Sequence, residues 1–503
     1  MLRLSPDHRP RAALLLALAL TAAACSQAAE ESAETTDAAT SGATEGSGTS
    51  AATEATTAGP TTNDATSGSD SSTDPTTDPT TDPTTDPTTD PTDPTTSSSD
   101  TETTGVDPQA PCPPLPAAEG TLIEVGPDQA ATLPQLVYDA PEGATILLAD
   151  GTYPIGEPLH FTRDGVSLRS ASGEREAVIL DGGYGVGELA IIEASDVTIA
   201  DITLQRAFWH PIHVYGAGDH TIEGTILYNV RVIDPGQQGI KINATADAYF
   251  ADHGLIACSH IELTDAGRQQ VEGCYTGGID AHSALGWVVR DNHIEGFWCD
   301  AGLSEHGVHF WITGRDTIVE RNTIVDCARG VGFGLGQNGN GKARDYGDDP
   351  CPGADYLGHI DGIIRNNFIV AGRPELFASE FGVDSGVALE QACGTKVLHN
   401  TVVALQPPFV SMEYRFANTQ AVIENNLVTH KIVARDGGQA ELAGNIEDAA
   451  LDQLVDAPGD VHLAPDASAI DAGVAIDPGL ADDDHDGDPR DGPRDVGADE
   501  RTR

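Results

Sequence analysis

The chain reads as an all-β protein built as a right-handed, single-stranded parallel β-helix, and three observations carry that reading. A phrase made of an aliphatic residue, two others, usually Asn, one more and a second aliphatic recurs as "VRDNHI", "VERNTI", "IRNNFI", "VLHNTV" and "IENNLV", with Asn292, Asn322, Asn367, Asn400 and Asn426 in its slot. Weaker copies put Ile202, Thr225 and Ser259 there, and successive slots lie 23, 34, 33, 30, 45, 33 and 26 residues apart. No segment of helical period separates the copies, so each period is one coil of short strands stacked on the next about 4.8 Å away.

Before that array the chain has little to bury. Residues 1–24 carry Arg3, Arg9 and Arg11 ahead of the apolar run "AALLLALALTAAA", and Cys25 follows. This resembles a bacterial lipoprotein signal peptide, and the resemblance implies a lipid on Cys25, although Ala22 stands where such leaders usually carry leucine. The run is too short for an ordinary membrane span. Residues 25–110 are almost entirely Thr, Ser, Asp, Ala, Gly and Pro around "DPTTDPTTDPTTDPTTDPTDPTT", with no aromatic residue. Such a segment is expected to remain a disordered stalk reaching on the order of tens of Å. The expected location is therefore the bacterial cell surface or periplasm, with the lipid, in the outer membrane, as the only membrane attachment.

Formal net charge is −53, with 18 acidic and 3 basic residues in 1–110 and 61 against 23 beyond. That balance excludes nucleic acid as a partner, because phosphate binding needs basic surface. Eight cysteines suit an exported, oxidised protein. By order along the chain, Cys258 is expected to pair with Cys274, Cys299 with Cys327 and Cys351 with Cys393, leaving Cys112 over.

The β-helix itself is expected over 111–465, followed by an acidic tail, 466–503, packed on the last coils. The recurring Asn has a structural explanation, as a turn residue tolerant of left-handed geometry whose amide reaches the next coil. "DQAATLPQLVYDAPEGATILLADGTYPI" (128–155) resembles the opening of pectate-lyase-like β-helix proteins, which implies a short amphipathic helix capping the first coil. "IDAG…DPRDGPRDVGADE" (470–500) resembles the tail of secreted bacterial β-helix proteins. Within it Asp482, Asp484 and Asp486 alternate before Gly487 as in calcium loops, so Ca²⁺ is a candidate cofactor, although Pro493 occupies the place of the closing glutamate.

After each Asn slot a second strand begins, usually at a glycine: "HPIHVY", "QGIKIN", "GGIDAH", "HGVHFW", "RGVGFG", "SGVALE" and "FVSMEY". Aligned on the aliphatic residue, Ile212, Ile240, Ile279, Val308, Val331, Val387 and Val410 point inward, and the residue two further on does too. The residues between point outward. One outward column reads His213, Lys241, Asp280, His309, Gly332, Ala388, Ser411; the next reads Tyr215, Asn243, His282, Trp311, Gly334, Glu390, Glu413.

These columns give the functional expectation: a monomer acting on, or binding, an extracellular polysaccharide along this face. For a β-elimination lyase, Lys241 would be the base with a lowered pKa, His309 or His282 a base or proton donor, and Asp280 an orienting group or calcium ligand. His213, Tyr215 and Trp311 would contact sugar, and Gly332 and Gly334 would leave a low floor for a chain to cross. A glycoside hydrolase would instead use Glu390 and Glu413, neighbours in the second column near Arg415. A non-catalytic glycan-binding or structural surface would show the same side chains without turnover. A pectin-methylesterase-like reaction lacks a clear pair of aspartates.

Overall fold

The computed structural model describes residues 112–335 and 343–501. The expected leader, Cys25 and the stalk lie outside the described residues. Three long parallel sheets, of ten, ten and fourteen strands, run the length of the domain, and each coil contributes to all three in turn. The inward residues form one continuous core. Ile212, Val214, Ile240, Ile242, Ile279, Val308 and Phe310 are all fully buried, each worth roughly 1.5–3 kcal/mol of transfer free energy.

The asparagine slot is the corner between the fourteen-stranded sheet and one of the ten-stranded sheets. Asn292, Asn322, Asn367, Asn400 and Asn426 stack as a buried ladder that continues to Asn445, each Nδ2 donating to the next Oδ1 at 2.9–3.0 Å. Each Oδ1 also accepts the preceding coil's backbone N–H, as Asn367 does from Asn322 at 3.0 Å. The left-handed backbone belongs to the residue before each Asn: Asp291, Arg321, Asn366, His399 and Asn425 have φ of 50–57°. The weak second copy is also shifted. Asn229 is left-handed, so Val230, not Thr225, occupies the corner slot, and its N–H donates to Ser259 Oγ.

A helix caps the first coils, and the C-terminal tail covers the outside of one lateral sheet. A helix, α1 (Leu133–Tyr138), follows a 3₁₀ turn and buries Leu133 and Val137 over the first coils. After residue 466 the chain packs Ala467, Ala469, Val496 and Ala498 with Phe368, Val403 and Leu427 of the third sheet. There the buried Arg490 guanidinium donates to Glu500, Asn366 and the Gly497 and Ala498 carbonyls.

The disulfides are Cys112–Cys258, Cys274–Cys299 and Cys351–Cys393. Only the last matches pairing by chain order. Cys112 is tied to the wall of the helix, and buried Cys327 is the free thiol.

The ladder amides are buried and each makes several bonds, so deleting one orphans groups on two neighbouring coils. Asn322→Ala removes the acceptor for Asn292 and the donor to Val289 and Asn367. It is expected to lower unfolding free energy by about 2–4 kcal/mol, read as a reduced urea midpoint; an unchanged midpoint would show that the ladder adds nothing to stability.

Candidate functional site

The site lies on the outer face of the ten-stranded sheet made of β1 (Leu159–Phe161), β2 (Glu188–Ile192), β3 (His210–Tyr215), β4 (Gln238–Asn243), β5 (Gly277–His282), β6 (His306–Trp311), β7 (Arg329–Gly334), β8 (Ser385–Glu390), β9 (Val410–Arg415) and β10 (Ile432–Arg435). From β3 to β8 the register is the expected one: His213 pairs with Lys241, Lys241 with Asp280, Asp280 with His309 and His309 with Gly332. At β9 it differs by two residues. Val387 pairs with Met412 and Ala388 with Glu413, while Glu390 pairs with Arg415. Glu390 and Glu413 are thus not column neighbours; Glu413 takes the place expected for Ser411.

A third outward column lies beside these two and was not expected. From β4 to β8 a glycine near the head of the strand faces the core, with no room for a Cβ; at Gly307 it would meet Ile324 Cγ2 at 3.0 Å. Two consecutive inward residues, Gly307 and Val308, break the alternation and turn His306 outward with His309 and Trp311. The same offset brings out His210 and Arg329, and His210 pairs with Glu188 of β2. His306 stands over Gly332, where an added Cβ would lie 2.6 Å from its Nε2. The expected gap in the floor is therefore filled by an imidazole.

At the centre Lys241 Nζ donates to Asp280 Oδ2 and to His282 Nε2, the latter at 3.1 Å. The other Asp280 oxygen accepts from Trp311 Nε1 at 2.6 Å. Lys241 and Asp280 are buried, and His282 reaches the surface with a tenth of its side chain. Burial opposes the lysine's charge, but Asp280 outweighs it and holds the ammonium above the ordinary lysine value. Burial likewise opposes the carboxylate, and Lys241 and His282 overcome it, holding Asp280 well below the usual range. Lys241 therefore stays protonated, contrary to the expected base of lowered pKa. Burial, then Lys241, lowers His282, which is neutral at neutral pH.

Aromatic rings pack this centre from the side. Trp311 stacks on His309 at 5.0 Å and meets His282 edge-on at 4.7 Å, and Tyr215 stacks on His213 at 3.8 Å. One face of Trp311 is thus covered by His309. His309 Nε2 donates to the Gly334 carbonyl at 3.0 Å, and its Nδ1 lies 3.3 Å from Glu305 Oε2. Further along, Glu390 accepts from Arg415 at 3.2 Å and Glu413 from Arg435 at 2.5 Å. Burial raises Glu413, with Glu390 adding to the rise.

The three tail aspartates do not form a common ligand cluster. Both Asp484 oxygens accept backbone N–H groups, from Asp486, Asp488 and Glu500. Asp482 accepts from Gly479, and Asp486 pairs with His462 at 3.0 Å. Burial pushes Asp484 up to about 6. Its two oxygens close a turn of the C-terminal tail.

The fold and this face define the class: a parallel β-helix with a buried ion pair and imidazoles on one lateral sheet. The family described as "Right handed beta helix region" matches residues 188–345. No curated protein matches the sequence. Among solved structures, pectate lyase Pel9A aligns over 76% of this chain and 97% of its own at 12% identity, TM-score 0.48. An alginate lyase from Paenibacillus sp. str. FPU-7 covers 64% and 98% at 15% identity, TM-score 0.39. The polygalacturonase from Erwinia carotovora ssp. carotovora covers 67% and 97% at 12% identity, TM-score 0.39. These likenesses concern architecture; the reading of the site rests on its own residues.

Buried neutral imidazoles also set the acid limit of the fold. Burial pushes His210 and His359 down to about 3 and His399 to about 2. Unfolded, each protonates near 6.5, so its contribution is complete above that pH and is lost as pH falls toward 3. Each ring should cost about 1.4 kcal/mol per pH unit across that window. Tm is expected to drop steeply between pH 6.5 and 4; a flat Tm over that range would show that these rings are protonated or solvated in the native state.

Proposed function

We propose that the β3–β9 face binds an extracellular polysaccharide and that β-elimination on a uronate-containing chain is the reaction it suits best. The observation that carries this is the Lys241–His282 contact: a permanently charged ammonium and a neutral imidazole, 3.1 Å apart, on the outer face of adjacent coils. A uronate C5 proton becomes acidic enough to remove only when the neighbouring carboxylate is neutralised. Lys241, fixed by Asp280, supplies that charge. His282, at the surface and unprotonated, takes the C5 proton once substrate draws Lys241 toward its carboxylate; the electron pair forms the C4–C5 double bond as the C4–O bond breaks, and the departing oxygen gains a proton from water. Trp311, Tyr215 and the exposed Phe208 offer ring surface for sugar. The lipid on Cys25 and the stalk would hold this face away from a bacterial outer membrane.

One observation favours a hydrolase instead. Glu413 is a carboxyl raised by burial beside an Arg-paired carboxylate, Glu390, and such a pair divides into acid and nucleophile or base.

The purified protein should be offered uronate-containing and neutral polysaccharides while ultraviolet absorbance of the unsaturated product and new reducing ends are followed together. Both signals should rise on a uronate polymer, with His282→Ala costing about 10²–10⁴-fold and Lys241→Ala about 10²–10³-fold. The rate should persist as pH falls past 6.5 and fail only below it, because His282 is lowered. Reducing ends without absorbance, abolished in Glu413→Gln, would replace the lyase by a hydrolase. Silence in both, with retention on an immobilised glycan, would leave a binding surface.

A further inference from the structure

We propose that Glu305, His306 and His309 form a binding site for a divalent transition ion, with zinc the best match to one carboxylate and two imidazoles. The three side chains are buried and offer ligand atoms within 4.8 Å of one another. Glu305 Oε2 lies 3.3 Å from His309 Nδ1 and 3.9 Å from His306 Nδ1. Ligand atoms around a tetrahedral zinc with bonds near 2.0–2.1 Å stand about 3.3 Å apart.

The hydrogen bonding points the same way. A carbonyl only accepts, so His309 Nε2, bonded to Gly334, carries the proton. Its Nδ1 faces the Glu305 carboxylate at 3.3 Å with no aligned hydrogen bond between them. Neither ring nitrogen of His306 has a partner, although the residue is only 2% exposed. A cation between the three groups gives a partner to the Glu305 carboxylate, to His309 Nδ1 and to one ring nitrogen of His306. The neighbouring cations are already matched, Lys241 by Asp280 and Arg329 by Asp384 at 3.0 Å. Three protein donors also leave one coordination position for water or a ligand oxygen.

The backbone builds the site. Gly307, denied a side chain by Ile324, puts His306 and His309, three residues apart, on the same outer side, a spacing that strict alternation does not allow. Gly332 in the next coil leaves room for the His306 ring.

Metal-stripped protein should be titrated with zinc by calorimetry, and with cobalt(II) to read the visible absorption of a tetrahedral site. One equivalent is expected, with His306→Ala and His309→Ala weakening it by more than about 100-fold, beyond the cost of an outer-shell partner. Glu305→Gln keeps the shape of the side chain and guards against misfolding in the histidine variants. It should lose zinc while its circular dichroism stays unchanged; zinc retained in Glu305→Gln would overturn the site. His293→Ala serves as the control, since His260, His293 and Glu295 form a separate, partly exposed grouping. Absence of zinc binding by the unaltered protein, or binding lost in His293→Ala but kept in His306→Ala, would also overturn it. The measurement needs no polysaccharide, so failure of the lyase reading leaves it standing.

Discussion

In-register parallel stacking is the constraint on which everything else in this molecule depends. Because each coil's backbone bonds to the coils on either side, one residue's position on a sheet fixes its neighbours two coils away. The asparagine ladder pins that register at a corner, where amide chains pass from coil to coil inside the core. With the corner held, the strand that follows begins at the same height in every coil. Side chains far apart in sequence, such as Lys241, Asp280 and His309, then become adjacent without any of them helping to choose the fold.

The same rigidity allows the lateral face to be both polar and buried. A charge taken out of water is costly unless paired, and three on this face are met from a neighbouring coil: Lys241 by Asp280, Glu390 by Arg415, Glu413 by Arg435. Pairing across coils rather than within a strand makes the arrangement depend on register. A slip by one coil would bring Lys241 opposite His309 and leave Asp280 facing Gly332. The ion pairs therefore penalise misregistered stacking, which the apolar core alone, with Ile or Val at nearly every inward position, would tolerate.

How much of this was legible in the sequence follows from the same geometry. The inward pairs Ile212/Val214 through Val387/Leu389 were readable because one face of the strand is uniformly apolar at period two. At β9 that signal is degenerate: Val410, Met412 and Tyr414 form three apolar positions in one row, and two registers bury two of them equally well. The structure buries Met412 and Tyr414 in the column, which moves Glu413 beneath Ala388. The third column escaped notice because strict alternation assigns His306 inward; the glycine near the head of strands β4 to β8 was the available signal, since a core-facing glycine implies a neighbour too close for a side chain. The protonation of Lys241 was in principle readable too. Once Asp280 was placed next to it, the lysine had to be held charged rather than discharged by burial.

That last point governs what chemistry this face can support. A buried lysine acts as a base only where desolvation wins over its neighbours, and here a carboxylate on the adjacent coil reverses the outcome. The proton-accepting capacity of the face therefore passes to its imidazoles, and these divide by their partners. Burial and the Lys241 ammonium it faces keep His282 neutral and oriented; His309 faces a carboxylate, with its other nitrogen anchored to a carbonyl. On the proposed readings, one ring exchanges protons with a ligand and the other shares a cation with Glu305. Two histidines one coil apart acquire different chemistry because stacking gives them neighbours of opposite sign.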